Sequence, residues 1–480
     1  MYKYILVIAL LISSAFSRRE WESTDVMPLV SSRNAIAIEF SHNYLWLATN
    51  QAILRMPYNS GKADKASWES WNIGLEIVDI KNMNDTIYIF TNSIVLKCYE
   101  NAFHEGALET VEEIPRFPPD IGITALEEQS FYLPYGLIWL QEGKIIDLKN
   151  NIFEIIDSER DFDGNLYFAT NGIGIYRIES SSYYAEEFVF GPCCDFNSIV
   201  KKHKDNIYFA SCIGISKCII TKLENNTYKY INYEDYNEQY NSNIINDYIF
   251  INNKILFATP TGLELYDTEH SSWIRAIGMN SIPISSANGL EIFEGNIYIA
   301  SDEGIYYADT NSRLFTHMTS IPKYCFKKIK KISGKLYTYC EQGVWIIDKN
   351  DSKKYDTPDG MITNSVLCLS EGVGGEAIFG SRYGIIIISP DGSREIYQRS
   401  TYISGAFPND IAASRSHIWV ATDKGLQVID RKYKTVKILG ETNYLPEIPI
   451  SSLLLDGDWL WLSTSKGVFK FFWNEPDRIY

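Results

Sequence analysis

The sequence predicts an all-β protein assembled from about eleven four-stranded units, and three observations carry that prediction. A short string, apolar–aromatic–apolar–small, recurs down the 480 residues: LWLAT at 45–49, IYIF at 87–90, LYFAT at 166–170, IYFAS at 207–211 and ILFAT at 255–259. IYIAS at 297–301, LYTYC at 336–340, AIFGS at 377–381, IWVAT at 418–422 and LWLST at 460–464 complete the series, with a degenerate copy, SFYLP, at 130–134. With the fourth position as marker, the copies span 415 residues from Ala48 to Ser463 in ten intervals, 41.5 on average. Four residues after the marker a glycine stands in seven copies: Gly214, Gly262, Gly304, Gly343, Gly384, Gly425 and Gly467. Aromatics make up 14% of the chain, 33 of them Tyr, which favours strands, and no stretch carries a helical period.

Each period reads as four short strands. Around Ala300, residues 288–293 form the first, and Glu294-Gly295-Asn296 is a tight turn whose Gly and Asn supply positive φ. Residues 297–301 are the second strand, and 304–308, reached through Asp302-Glu303, are the third. A turn at 309–312 leads to the fourth, 313–318. Asp163-Gly164-Asn165, Asn252-Asn253, Gly374-Gly375 and Asp456-Gly457 punctuate other copies alike. About 40–45 residues and four strands per unit is the period of a β-propeller blade. The second strand is apolar on both faces, as a sheet sandwiched between two others requires. Its central aromatic, Trp46, Tyr88, Tyr167, Tyr208, Tyr298, Tyr337, Trp419 or Trp461, is therefore expected to pack between blades.

A Trp or Tyr strand, then A-T-x-x-G-L, then an aspartate turn resembles the two-component regulator propeller repeat. IWVATDKGLQVID at 418–430 is the clearest copy, and 255–267 and 460–471 are close to it. The resemblance covers residues 30–475. It implies a propeller of the kind that forms the periplasmic sensor half of hybrid histidine kinases and also occurs in exported proteins without a kinase. The chain ends at Tyr480, just after the last repeat, so the expectation is the second kind.

Eleven blades exceed the usual four to eight of one ring. The longest interval holds the polar stretch 225–243, NNTYKYINYEDYNEQYNSN. It is expected to be the linker between a first propeller of about five blades (18–224) and a second of about six (244–480). A four-plus-seven split and one large ring are the alternatives. Residues 20–33 precede the first blade and are placed to lend a closing strand. Residues 1–17 read as a signal peptide: Lys3, an apolar run at 4–12, then Ala15 and Ser17 as the small residues at −3 and −1 of a cut before Arg18. The mature chain is expected to be exported, whether periplasmic, cell-surface or secreted, with no membrane span after cleavage. A net charge of −16 without a basic block makes nucleic acid a poor partner.

Chemistry-bearing motifs are scarce. The eight cysteines, Cys98, Cys193, Cys194, Cys212, Cys218, Cys325, Cys340 and Cys368, contain no C-x-x-C. Cys325 and Cys340 fall in one repeat and form a candidate disulfide, with buried free thiols as the alternative. Asp161-Phe-Asp163-Gly-Asn165 resembles a calcium loop but lacks the distal Glu. His42, His203 and His417 sit at the turn between first and second strands, and Asp267, Asp309, Asp348 and Asp430 recur after the third, where a carboxylate accepts turn N–H groups. No metal or cofactor is expected, and no catalytic residue is assignable. The function expected is a noncatalytic binding or scaffold propeller that takes a protein or glycan ligand, linked to a two-component-type sensing system. The alternative is a carbohydrate-active enzyme, a lyase or glycosidase, whose site loops of different blades would build.

Overall fold

The computed structural model is all-β, a multi-bladed propeller of antiparallel sheets. It describes residues between Trp21 and Asn474 apart from 118–129, 147–151, 193–198, 233–243, 275–283, 399–406, 440–444 and stretches of one to four residues. The signal segment, Cys193, Cys194 and Gly214 lie outside the described residues. Among those described, the strands form eight four-stranded sheets, one of five and one of seven. In chain order the repeats occupy 35–72, 77–110, 130–146, 152–188, 199–232, 247–274, 287–317, 328–355, 366–398, 408–439 and 450–472, here repeats 1 to 11.

The third repeat departs from the expected four-stranded unit. Its strands Ser130–Leu133, Gly136–Gln141 and Lys144–Ile146 continue into the sheet of repeat 4. The nine-residue strand Ile152–Arg160 is long enough to serve both. Its start, through Glu154, pairs with Lys144–Ile146 and its end, from Ile155, with Leu166–Thr170, with a register shift just past the change of partner, between Ile155 and Asp157.

Inner-strand packing orders the repeats. Ala35–Phe40 of repeat 1 packs between Ile77–Met83 of repeat 2 and Ile152–Arg160 of repeat 4. Farther along, Asp247–Ile251, Ala287–Phe293, Lys328–Ile332, Val366–Glu371, Pro408–Ala413 and Ile450–Asp456 pack each on the next. Ile199–His203 of repeat 5 closes the series. It packs against Ile450–Asp456 on one side, and Tyr208, Ala210 and Ile220 of its sheet are buried with Tyr248, Ile255 and Phe257 of repeat 6 on the other. Seven sheets thus form a closed circuit. We read the molecule as a four-repeat unit set beside a seven-bladed ring, the four-plus-seven alternative rather than five plus six.

Two packing facts move the expected seam at 225–243. Thr227–Asn232 is not linker but the fourth strand of repeat 5, paired along Lys217–Glu224. Val200, Ile207 and Phe209 of that repeat are buried with Trp461 and Val468 of repeat 11, an apolar face that would be stranded in water under a five-plus-six division.

The N-terminal segment supplies the ring's last strand. Val26–Pro28 pairs antiparallel with Gly467–Phe472, Val26 facing Phe471 and Pro28 facing Phe469. Pro28 has no N–H to give, which an outermost strand tolerates. Leu29 extends the pairing through its N–H to Val468 O at 2.8 Å. Trp21 packs on Trp419 and Phe471, each at 5.5 Å, and its Nε1–H donates to Trp473 O at 3.1 Å. From Val26–Pro28 in the seven-sheet circuit the chain leaves for repeats 1–4 and then returns.

Candidate functional site: the inner strands of the seven-sheet circuit

The second-strand aromatics lie between sheets. Trp46, Tyr167, Tyr208, Tyr298, Tyr337, Trp419 and Trp461 are buried, and Tyr88 is half-buried with Phe117 edge-on at 5.2 Å. Trp419 shares a core with Leu453, Leu460, Leu462, Phe469 and Phe471 of the next sheet, and Trp46 with Ile80, Ile87 and Ile89. These rings are occupied by packing and offer no platform to a ligand.

The glycines that begin the third strands share one conformation. Gly262, Gly304, Gly343, Gly384, Gly425 and Gly467 have φ between +108° and +138°. At Gly343 a Cβ would stand 2.6 Å from Tyr355 O. A partner to this glycine, missed from the sequence, is the Thr or Ser that ends the second strand. Hydroxyls of Thr259, Ser301, Ser381, Thr422 and Thr464 donate to the carbonyls of Gly262, Gly304, Gly384, Gly425 and Gly467 at 2.7–3.1 Å. The T of A-T-x-x-G was visible in the repeat; its pairing with the glycine carbonyl is the meaning of the spacing.

A second device was also missed. Carboxylates on the inner strands clamp each sheet to the next. Asp247 accepts the N–H of Tyr248 at 2.9 Å with one oxygen and that of Leu290, in repeat 7, at 3.0 Å with the other. Asp410 does the same for Ile411 (3.0 Å) and Leu453 of repeat 11 (2.9 Å). Glu291 holds Ile292 and Lys331 of repeat 8, both at 3.0 Å. Asp157 links repeat 4 to repeat 1 through Ile38, and Glu39 links repeat 1 to repeat 2 through Asn82. Burial pushes Glu39 up to about 7 and Asp157 up to about 6, and raises Glu291. The signal available in the sequence was an acidic residue opposite the small or aromatic position of the string, as with Asp247 opposite Ala258 and Asp410 opposite Ala421.

Lysines face these carboxylates. Lys201 pairs with Asp247 and donates to Tyr248 O at 2.7 Å. Lys328 Nζ lies 4.0 Å from Asp410 Oδ1, spanning from repeat 8 to repeat 10 past Cys368 of repeat 9. The carboxylate of Asp410 holds the Lys328 ammonium above its ordinary range. Lys330, two residues on, is lowered by burial and then by its neighbour Lys328, and it also feels Asp410, Lys201 and Glu291. By register Lys330 holds the inner-strand position that Glu291 and Lys201 hold in repeats 7 and 5.

The remaining sequence candidates do not converge. Cys325 and Cys340 are not bonded to each other: Cys325 Sγ donates to Asp302 Oδ1 at 2.8 Å, while Cys340 is buried with its Sγ toward Gly343 O at 3.7 Å. The two thiols point to partners in different repeats, Asp302 in repeat 7 and Gly343 in repeat 8, which corrects the candidate disulfide. Cys98 and Cys368 are also free and buried. The Asp161 loop is an Asx turn, its carboxylate accepting the N–H groups of Asp163 and Asn165 and the Asn165 amide at 2.7–3.0 Å. Among the described residues no group of three metal-ligating side chains occurs. His42 is exposed, His203 stacks on Phe250 at 4.1 Å, and His417 is not a surface turn residue but is buried among Trp21, Trp419 and Trp473. Asp267 and Asp430 cap their turns through two N–H groups each, and the His270 and Glu269 amides hold Asp267 below the usual carboxylate range. Asp348 pairs with Lys335 at 3.3 Å.

No protein-family model matches the chain, and no curated protein matches it in sequence. Solved structures do. PorZ, a bacterial surface component of the type-IX secretion system of Porphyromonas gingivalis, is similar at 15% identity and a TM-score of 0.52, over 91% of this chain and 68% of that one. The extracellular domain of the putative hybrid two component system BT4673 from B. thetaiotaomicron aligns at 15% identity and a TM-score of 0.46, over 92% and 70%. That of BT3049 from the same organism aligns at 14% and 0.45, over 90% and 67%. What the chain shares with PorZ is the fold of a multi-bladed β-propeller.

Proposed function

We propose that this chain is an exported, noncatalytic β-propeller that binds or scaffolds a protein or glycan ligand, serving a sensing system of the two-component type. The observation that carries the reading is how the inner-strand carboxylates are used. Asp247, Glu291 and Asp410 each accept two backbone N–H bonds and join neighbouring sheets. A carboxylate so committed is a poor general acid or base, because moving its proton breaks the clamp. Export is supported by the signal-like segment 1–17, and the setting by the repeat's resemblance.

The test has two arms. Mass spectrometry of protein expressed in an envelope-bearing bacterial host should give an N-terminus at Arg18. The purified chain is then screened on a glycan array and incubated with the same polysaccharides while reducing ends and unsaturated uronates are followed. Retention of a glycan or an envelope protein without turnover is the expected result. Release of reducing ends or unsaturated products would make the chain a carbohydrate-active enzyme instead, and a full-length, membrane-held form would overturn the export arm.

A further inference from the structure

We infer that the middle of the seven-sheet circuit is an oxyanion site, in which Lys328 and Lys330 hold a group of carboxylate or phosphate type. The inference deepens the reading of the chain as a binding protein by naming a ligand chemistry. Three lysines, Lys201, Lys328 and Lys330, meet there in a chain whose net charge is −16. Three carboxylates, Asp247, Glu291 and Asp410, stand with them, so a formal count gives balance. The bonding does not balance. Every carboxylate oxygen named above already accepts a backbone N–H, and Asp247 takes Lys201 in addition.

Lys201 spends two of its three donors on Asp247 and the carbonyl of Tyr248. Lys328 has Asp410 only at 4.0 Å, beyond hydrogen-bonding distance. Lys330 has neither a hydrogen bond nor an ion pair among the described residues, and burial together with Lys328 weighs against its charge. Two ammonium groups, each with three donors, are therefore left with unspent capacity on one strand, Lys328–Ile332, two residues apart. Both side chains are partly exposed, Lys328 by 37%, so these donors are within reach of a ligand from solvent. An oxyanion accepting from both forms charge-assisted hydrogen bonds.

The register explains why both face inward. Lys328 stands opposite Tyr339 and Lys330 opposite Tyr337, the positions that carry Asp247 and Asp410, or Glu291 and Lys201, in the neighbouring repeats. Cys368 of repeat 9, opposite Gly380, holds the same inner-strand position and is near both Lys328 and Asp410. Gly289 lets the strand of repeat 7 approach that of repeat 8, where a Cβ would meet Lys328 Cα at 2.9 Å. The site is thus bounded by strands pressed together, with lysines as its donors.

The experiment uses the mature chain, residues 18–480, with inorganic phosphate and glucuronate as probes against chloride at matched ionic strength. Thermal midpoints and calorimetric titration should show saturable binding of at least one probe. Phosphate alone would point to a free or lipid-borne phosphate, and glucuronate alone to an acidic sugar. Lys330→Met should weaken that binding by at least about tenfold, whereas Lys335→Met, on the exposed Lys335–Asp348 pair, should leave it unchanged. With the unpaired charge gone, Lys330→Met should unfold no more easily than the parent in chloride. A structural role for Lys330 predicts the reverse, a lower midpoint whatever the anion. Acetylation of the parent, read by mass spectrometry, needs no variant: the bound probe should slow modification of Lys328 and Lys330 but not of Lys335. Equal midpoints in all three anions, unchanged binding in Lys330→Met, or no protection from acetylation would overturn the site. Binding of a neutral glycan alone on the array would retain the binding-protein reading while removing this one.

Discussion

At the scale of single residues, the aromatic column is defined by what surrounds it. Trp419 is wholly buried between repeats 10 and 11, yet its Nε1–H has no acceptor among the described residues. Its contribution is therefore area and shape rather than a hydrogen bond. Trp419→Ala should cost about 3–5 kcal/mol, whereas Trp419→Phe, which keeps a ring and removes the orphaned donor, should cost about 1 kcal/mol. Urea midpoints decide; a parent-like Trp419→Ala would mean that the ring is not packed between sheets. Glu39 is the residue-scale pH probe. Burial raises its folded-state value from 4.5 to about 7. Between those values the folded protein holds a proton that the unfolded chain releases, so the stability this group confers is full below pH 4.5 and is lost as the pH rises through 7. Asp157, raised to about 6, and Glu264, raised to about 7, act in the same direction. The thermal midpoint of the parent should fall between pH 5 and 7.5, and Glu39→Gln should flatten that fall by about 2 kcal/mol. A midpoint in the parent that rises over this interval would contradict the assignment.

At the scale of the element, the second-to-third-strand hairpin is a small machine of three parts. A Thr or Ser hydroxyl closes it, glycine turns it, and the next sheet position accepts the tight approach. Gly343 has φ +131° and Tyr355 O only 2.6 Å from where a Cβ would lie. Gly295, in the first-to-second-strand turn, has φ +78° and open space around it. Gly343→Ala should therefore cost about 1–3 kcal/mol, while Gly295→Asn, which tolerates the left-handed region, should stay within about 0.5 kcal/mol. Equal effects of the two in chemical denaturation would show that backbone conformation alone, without the close carbonyl, sets the glycine requirement. The pattern of A-T-x-x-G was legible in the sequence because a hairpin is local. The carboxylate clamps were not, since the N–H that Asp410 accepts belongs to Leu453, 43 residues away on another sheet.

At the scale of the whole molecule, closure depends on Val26–Pro28. This strand covers the outer edge of Gly467–Phe472 and links the start of the chain to its last repeat. Without it that edge presents unpaired N–H and C=O groups, a template for association. A chain that starts at residue 34 should have a lower urea midpoint, and a stronger tendency to aggregate in light scattering, than one that starts at residue 18. A synthetic peptide of residues 18–33, added in trans, should partly restore both. If the truncated chain unfolds and scatters like the parent, the seven-sheet circuit is held without its closing strand.

The sequence by itself determined the repeat: its period, its four strands, its glycine turns and its apolar second strand. All of these follow from interactions within about forty residues, where alternation and turn chemistry act directly on the backbone. It also marked residues 20–33 as a strand to spare, since they precede the first repeat and lie outside the period. Only the tertiary structure decided which repeats share a ring. Repeat 5 carries the same string as its neighbours, and nothing in IYFAS says whether Phe209 will meet repeat 4 or Trp461 of repeat 11. That choice rests on which apolar faces remain uncovered when the circuit closes, a property of all the sheets together. The same holds for Lys330. In the sequence it is one lysine of the run Lys327-Lys328-Ile329-Lys330-Lys331; the fold alone sets it among charges from repeats 5, 7 and 10, because inner strands far apart along the chain come together only when the circuit closes.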